Sequence, residues 1–382
     1  MAERVVLHVG AMKSGTTYVQ SLLFANQAAL AEQGILVPGR TWWDQVNGVF
    51  DVLGRRKQGH IDVSGSWRRL LDEIEPWAGT AVVSMEFLGP ISPAKISAVV
   101  DSLRPARVSV VLSARDLNRS IAAMWQETIQ NGRWWTWASY LDGVERARPR
   151  PGRTPDDVTE AGRTFWRQQN TVRLTRNWLQ GDADDFTFLT VAAPGSPPGL
   201  LGRRFGELVG FDASNLVPGP RANTSMDAAA AEALRRTNDL LAQEGLTFPL
   251  GSGLRKNRLA KTVLAGRSRP DLKIGLPVSD WVVEHAGVMV TSLQELGVAL
   301  AGDWADLDPV PVPGMDPGTV AADEVRQAAE EGMRGLRPVL RRRLGDDWDA
   351  SDLDISGREP SDAAVGRLAS ALARAIRAEN AS

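Results

Sequence analysis

The sequence predicts an α/β protein in which an open parallel sheet, flanked by helices, is joined to a mostly helical C-terminal half. Three observations carry this. Short apolar runs alternate with helix-patterned stretches through the first half of the 382-residue chain, the arrangement that builds parallel sheets through right-handed crossovers. One run, VSVVLS within Arg107–Ser113, is apolar on both faces, as a strand covered on both sides requires. The first run, Arg4–Val9, breaks at Gly10 into a glycine-containing loop that opens a helix.

Further strands are expected at Thr80–Ser84 and Phe186–Val191. Helices are expected at Thr16–Leu30, where Val19, Leu22, Leu23 and Leu30 share a face, at Ser92–Leu103, at Asn118–Gln130, and in a stretch ending near Leu179. In the second half, Ala228–Leu241 and Asp280–Leu296 have helical periodicity, with Gly297 as a stop. Pro309, Pro311, Pro313 and Pro317 read as a stiff linker. Two more helices follow, Val320–Leu344 and Ser361–Ala378. The expected division is therefore a domain at 1–308 and a proline-rich linker with helical extension at 309–382. In the last helix Val365, Leu368, Leu372 and Ile376 form a narrow apolar stripe. Packing on the body of the protein is favoured over a homodimer contact.

Composition narrows the function classes. Lys and Arg number 44 against 46 Asp and Glu, a net charge of −2, so general nucleic-acid binding is not expected. There are no cysteines, which removes disulfides, thiolate metal sites and a cysteine nucleophile, and fits a cytoplasmic protein. No secretory leader is read at the N-terminus, and no run approaches the roughly 18 apolar residues of a membrane span. The three histidines lack ligand-type spacing, so no metal is expected.

The strongest local signal is Val9-Gly10-Ala11-Met12-Lys13-Ser14-Gly15-Thr16-Thr17 between a strand and a helix. Loop and first-turn N–H groups converge there, and the helix dipole favours an anion. Glycines let the backbone approach the anion, and Thr16 and Thr17 add hydroxyl donors. A Walker loop places lysine directly after its second glycine. Here that slot is Thr16 and the lysine is Lys13, inside the loop.

LHVGAMKSGTTYVQSLL resembles the 5′-phosphosulfate loop of the sulfotransferases that use 3′-phosphoadenosine-5′-phosphosulfate (PAPS), with Met12 in place of the usual proline of P-K-S/T-G-T-T. The resemblance implies a P-loop-type sheet, transfer of a sulfuryl group to an alcohol, phenol or sugar hydroxyl of a small molecule or glycan, the product PAP, and no obligatory metal. By the same resemblance Lys13, Ser14, Gly15, Thr16 and Thr17 bind the 5′-phosphosulfate. The segment VSVVLSARDLNRSIAAMWQETIQNG resembles the family's second motif, so Arg115 is the expected 3′-phosphate ligand. The family's serine falls on Ala123, and Ser120 is the candidate substitute. Arg119 is either outward-facing or a further phosphate contact.

Glu86, in VVSMEFLGP after the Thr80–Ser84 strand, resembles the S-x-E element of members that use a glutamate base. A carboxylate near Lys13 and Arg115 stays ionised, as a base must. The alternative is an N-cap acid. His60 in a polar loop is the runner-up base, while His8 and His285 suit packing. GPRANTSMDAAAAEALRRTND resembles a bacterial segment that makes Arg221, Asn223 and Ser225 further cofactor candidates. Six of 13 tryptophans lie between Trp125 and Trp178, readable as a packed cap or as an acceptor pocket. The competing functions are a P-loop phosphotransferase or NTPase, and a non-catalytic nucleotide-binding module.

Overall fold

The computed structural model describes residues 1–55, 62–150, 158–217, 219, 225–267, 269–345 and 360–381. His60, Arg221 and Asn223 lie outside the described residues.

Six parallel strands, β1 (Arg4–His8), β2 (Ile35–Leu36), β3 (Thr80–Ser84), β4 (Arg107–Ala114), β5 (Asp185–Thr190) and β6 (Ala299–Ala301), form one open sheet in the order β2-β3-β1-β4-β5-β6. The register puts Val5 between Ala81 and Val108, and His8 between Ser84 and Val111. Alternate residues then feed two cores. Val5, Leu7, Val83, Val110 and Leu112 face one side, under helices that include Ser66–Ile74, Pro93–Ser102 and Thr171–Leu179. Val6, Val82, Val111 and Leu189 face the other, under Thr16–Ala25 and Leu200–Val209. Each such side chain contributes about 1.5–3 kcal/mol by leaving water.

From β1 the chain turns toward β2 and β3, and from β4 it turns the opposite way toward β5 and β6. The ends of β1 and β4 therefore flank the switch point, where open α/β sheets leave a crevice for ligands. The alternation expected from the sequence is present. The two short edge strands, β2 and β6, were not expected, since two and three residues are too few to show a period. The expected Thr16–Leu30 helix is two helices, Thr16–Ala25 and Gln27–Glu32, broken at Asn26. The Asn26 amide donates to the carbonyls of Leu22 (2.7 Å) and Val217 (2.8 Å) and accepts from the Val217 N–H, so it ends the first helix while anchoring a distant loop.

The helical half packs as one core. Helices Ala228–Gln243, Ala322–Leu344 and Ser361–Ala381 and the π-helix Gly253–Val263 bury their apolar faces together with Leu117–Gln130. Val365, Leu368, Leu372 and Ile376 are all within this core, so the terminal stripe packs on its own chain. Trp125, Trp137 and Trp166 lie in the same core, and Trp135 packs against it. Trp125 meets Trp137 edge-on at 5.1 Å, and Phe165 and Trp166 continue the contacts to His285. The proline segment does not run free: Leu276 and Val312 exchange N–H···O bonds of 2.9 Å, and the Asn118 amide donates to Leu276 and Val310.

One buried cation ties these helices together. Arg267 donates to Asp227 at 3.0 Å and pairs with Glu331 at 2.9 Å, and Asp227 itself caps Ala228–Gln243 by accepting from the Ala230 N–H. Arg267→Ala leaves the buried Asp227 carboxylate without its partner. Urea unfolding should show a loss of about 3 kcal/mol, whereas a loss below about 0.5 kcal/mol, the range of ordinary surface changes, would show that the pair holds nothing.

Candidate functional site

The loop after β1 is built from its hydroxyls upward. His8, fully buried at the end of β1, bridges Ser84 of β3 (2.8 Å) and Ser113 of β4 (3.0 Å). Burial holds the imidazole down at about 3, so it is a neutral strand clamp, the packing role expected. Ser113 in turn donates to the carbonyls of Gly10 (3.0 Å) and Ser14 (3.2 Å), and its hydroxyl lies 2.9 Å from that of Ser14. Ser14 also donates to the Ala11 carbonyl. The Ser14 side chain is thus spent inside the loop.

Above this floor the loop is curled. Gly10 (φ 111°) and Gly15 (φ 80°) take conformations that favour glycine, and a Cβ on Gly15 would run into Leu201. Lys13 also has a positive φ (60°), a strain of about 1 kcal/mol for an ordinary residue. Strained residues of this kind cluster at ligand clamps. Among the described residues, no backbone carbonyl takes the N–H groups of Met12, Lys13 and Gly15. With the first turn of Thr16–Ala25 they form a concave row of donors at a helix N-terminus. Thr16 is buried, while Thr17 is half-buried at the same turn.

Glu86 follows β3 and stands against the loop, its Cβ within ordinary contact distance of the place a Gly10 side chain would occupy. Gln20, one turn into the loop's helix, donates to a Glu86 carboxylate oxygen (2.8 Å) and to the Ser84 carbonyl (3.1 Å). The carboxylate is therefore oriented by the same helix that presents the donor row, and it remains half-buried.

Lys13 faces Glu127 of Leu117–Gln130 at 2.6 Å. The other Glu127 oxygen receives Lys256 (2.9 Å) and Asn131 (3.1 Å), and Lys256 also donates to Asn131 (2.6 Å). Burial alone would raise the Glu127 carboxyl, but the two ammonium groups and their hydrogen bonds outweigh it and hold it down at about 2. Lys261, about one π-helical turn beyond Lys256, is lowered by lost hydration and by Lys256 and Lys13, against the pull of Glu127 and Glu86. Three lysines thus stand about the loop mouth with two carboxylates.

Arg115 begins the chain beyond β4. Its Nη2 donates to the Arg119 carbonyl (3.0 Å), while its buried Nε has no partner. Burial, reinforced by Arg119 and opposed by Asp116, pushes it down to about 10. Arg119, not Arg115, takes Asp116, and it also reaches the Val191 and Ala192 carbonyls, so it points inward and is fully engaged. Ser120 lines the same small cavity as Arg115, with Gln169 and Thr171, under Met289 and Leu293. Gln169 also donates to the Met12 carbonyl at 2.7 Å, connecting that cavity's wall to the loop. Ala123 is half-exposed on the same helix, and Ser225 is exposed.

The arrangement offers an anion cradle at β1, a second cationic donor at β4, and an oriented carboxylate at β3. Among the described residues there is no group of His, Cys, Asp and Glu able to hold a metal ion, and no helix long and apolar enough to cross a membrane. No protein-family model, no curated protein and no solved structure matches the chain.

Gln20, Glu127, Lys256 and Lys261 were not singled out from the sequence. The basic run Arg255–Lys261 was the one available signal, and it does not say which carboxylate it meets. Because the Glu127 carboxyl is depressed from 4.5 to about 2 on folding, its contribution is fully present above pH 4.5 and fades as pH falls toward 2. Wild type should therefore exceed Glu127→Gln in stability by on the order of 3 kcal/mol at pH 7. Chemical denaturation between pH 7 and 3 should show the gap narrowing below pH 4.5. A gap independent of pH would place its origin outside this ionisation.

Proposed function

We propose that the chain is a sulfotransferase of the PAPS-dependent kind, transferring a sulfuryl group to a hydroxyl. The observation that carries this reading is the placement of two separate cationic donor sites on adjacent strands, Lys13 with the loop amides after β1 and Arg115 after β4, with Glu86 held at the end of β3. PAPS carries two well-separated anionic groups. The loop row suits the 5′-phosphosulfate, and the orphaned buried Nε of Arg115, a residue that lines one small cavity with Ser120, suits the 3′-phosphate.

In this reading Glu86 accepts the proton of the acceptor hydroxyl, and Gln20 keeps the carboxylate turned toward the loop. The acceptor oxygen forms a bond to sulfur as the bond from sulfur to the 5′-phosphate oxygen breaks, and that oxygen leaves with PAP. Lys13 supports the charge growing on the leaving oxygen, exchanging Glu127 for it. Glu127 keeps Lys13 close beforehand.

The deciding experiment is calorimetric titration of PAP and ATP, each with and without magnesium. PAP should bind without magnesium and more tightly than ATP. Tighter ATP binding, or PAP binding that needs magnesium, would sink the assignment and favour a phosphotransferase.

Glu86→Gln tests the base. Gln keeps the shape and an acceptor oxygen, so PAP affinity should hold while turnover on a phenol or sugar panel drops by about two to four powers of ten. Unchanged turnover with a lowered melting temperature would make Glu86 a structural residue of the segment after β3.

A further inference from the structure

The ammonium of Lys256 stands at the centre of the ion network beside the loop. Glu127 is buried, and its two carboxylate oxygens have different partners. Among the described residues, Oε2 takes Lys13 alone, at 2.6 Å. Oε1 takes Lys256 at 2.9 Å and the Asn131 amide at 3.1 Å, and Lys256 donates to the Asn131 side-chain oxygen at 2.6 Å. These three bonds close a ring that does not include Lys13. The Asn131 backbone N–H also bonds the Glu127 carbonyl, at 3.0 Å, so the ring is anchored to the end of its helix.

The two lysines are mounted differently. Lys256 rises from Gly253–Val263, where Leu254, Arg255, Leu259 and Ala260 are buried. Arg255 fastens that helix by donating to the Leu246 carbonyl at 3.1 Å and to the Leu250 carbonyl. Lys13 sits on the curled loop, its side chain is 29% exposed, and Glu127 is its one acceptor among the described residues. An anion held by the loop would draw Lys13 off Oε2, while Oε1 keeps both of its donors. Without Lys256 the same departure would strand a buried carboxylate on one amide, which is costly. On the helices packed against Leu117–Gln130, Glu232 is taken by Arg235 and Arg236, and Glu160 by Arg133. Lys261 is the further cation that acts with Glu127.

We infer that Lys256 is a positioning residue for the anion cradle: it keeps the Glu127 carboxylate partnered as Lys13 leaves it for the bound phosphosulfate, and so sets the affinity of the loop. The phosphosulfate as the anion rests on the sulfotransferase reading; the exchange of Lys13 between two anions rests on the ion network itself.

The test is calorimetry of PAP with wild type, Lys256→Met, Glu127→Gln and the double variant, each in buffers of different ionisation enthalpy. Lys256→Met should bind PAP about ten- to hundred-fold more weakly than wild type. It should also take up more protons on binding, because Glu127 abandoned by Lys13 draws one from solvent. Its deficit should therefore shrink as pH falls from about 8 to about 6, the range in which a buried, unpaired carboxylate protonates. Adding Glu127→Gln should restore affinity to within about three-fold of Glu127→Gln alone, since no carboxylate then competes for Lys13. Lys256→Gln, which keeps a donor without the charge, serves should Lys256→Met be poorly folded. A lysine that only holds the fold would lower the melting temperature and leave PAP affinity and proton uptake as in wild type. That result, or a loss the double variant does not repair, would overturn the role. Should wild type fail to bind PAP, the sulfotransferase reading falls separately, and the same proteins titrated with inorganic pyrophosphate still decide whether Lys256 governs the exchange. Wild type that binds neither anion would overturn it as well.

Discussion

A loop that leaves a central strand to hold an anion must keep its N–H groups free, so past Ala11, whose N–H still bonds the Ser113 carbonyl, it is not held by the ladder that holds the strand. Ser113 resolves this. From β4 its side chain ties the carbonyls of Gly10 and Ser14 and the Ser14 hydroxyl, so it uses none of the loop's backbone N–H groups. His8 fixes Ser113 from below and ties it to Ser84 of β3. Three strands and the loop are thereby joined through side chains buried from water, where hydrogen bonds are electrostatically stronger. The curled backbone at Gly10, Lys13 and Gly15 depends on this floor, because a strained conformation persists only where its surroundings over-determine it.

The same floor explains which parts of the site were legible in the sequence. Lys13, Ser14, Gly15, Thr16 and Thr17 are contiguous, and Glu86 and Arg115 each directly follow a recognisable strand, so chain order alone places them at one sheet edge. The sheet was readable because its central strands are apolar on both faces. The site's ion network was not. Glu127 and Lys256 are 129 residues apart, and no local period says that Leu117–Gln130 and Gly253–Val263 face each other. Gln20 was missed for a different reason, since it looks like any polar position on an amphipathic helix until Glu86 is brought beside it. The role of Arg119 was also out of reach, because the carbonyls it meets, at Val191 and Ala192, lie beyond the next strand.

The cationic side chains about the loop are only partly compensated. Around the loop, Lys13 and Lys256 share one buried carboxylate, so opposite charges sit at short range with one positive charge in excess.

The π-helix Gly253–Val263 carries Lys256 to the loop, yet its footing is the far end of the chain. Gly335 lets Ala322–Leu344 press against Val263 with no Cβ between them, Leu368 and Leu259 close over Gly332, and Ile376 lies against Gly251. The final helices therefore act as a buttress for one wall of the crevice. Loosening them would not touch β1, β4 or the loop, but it would let that wall swing, and the spacing between two ammonium groups would become a property of the last sixty residues or so of the chain, a distance far smaller than the lever that sets it.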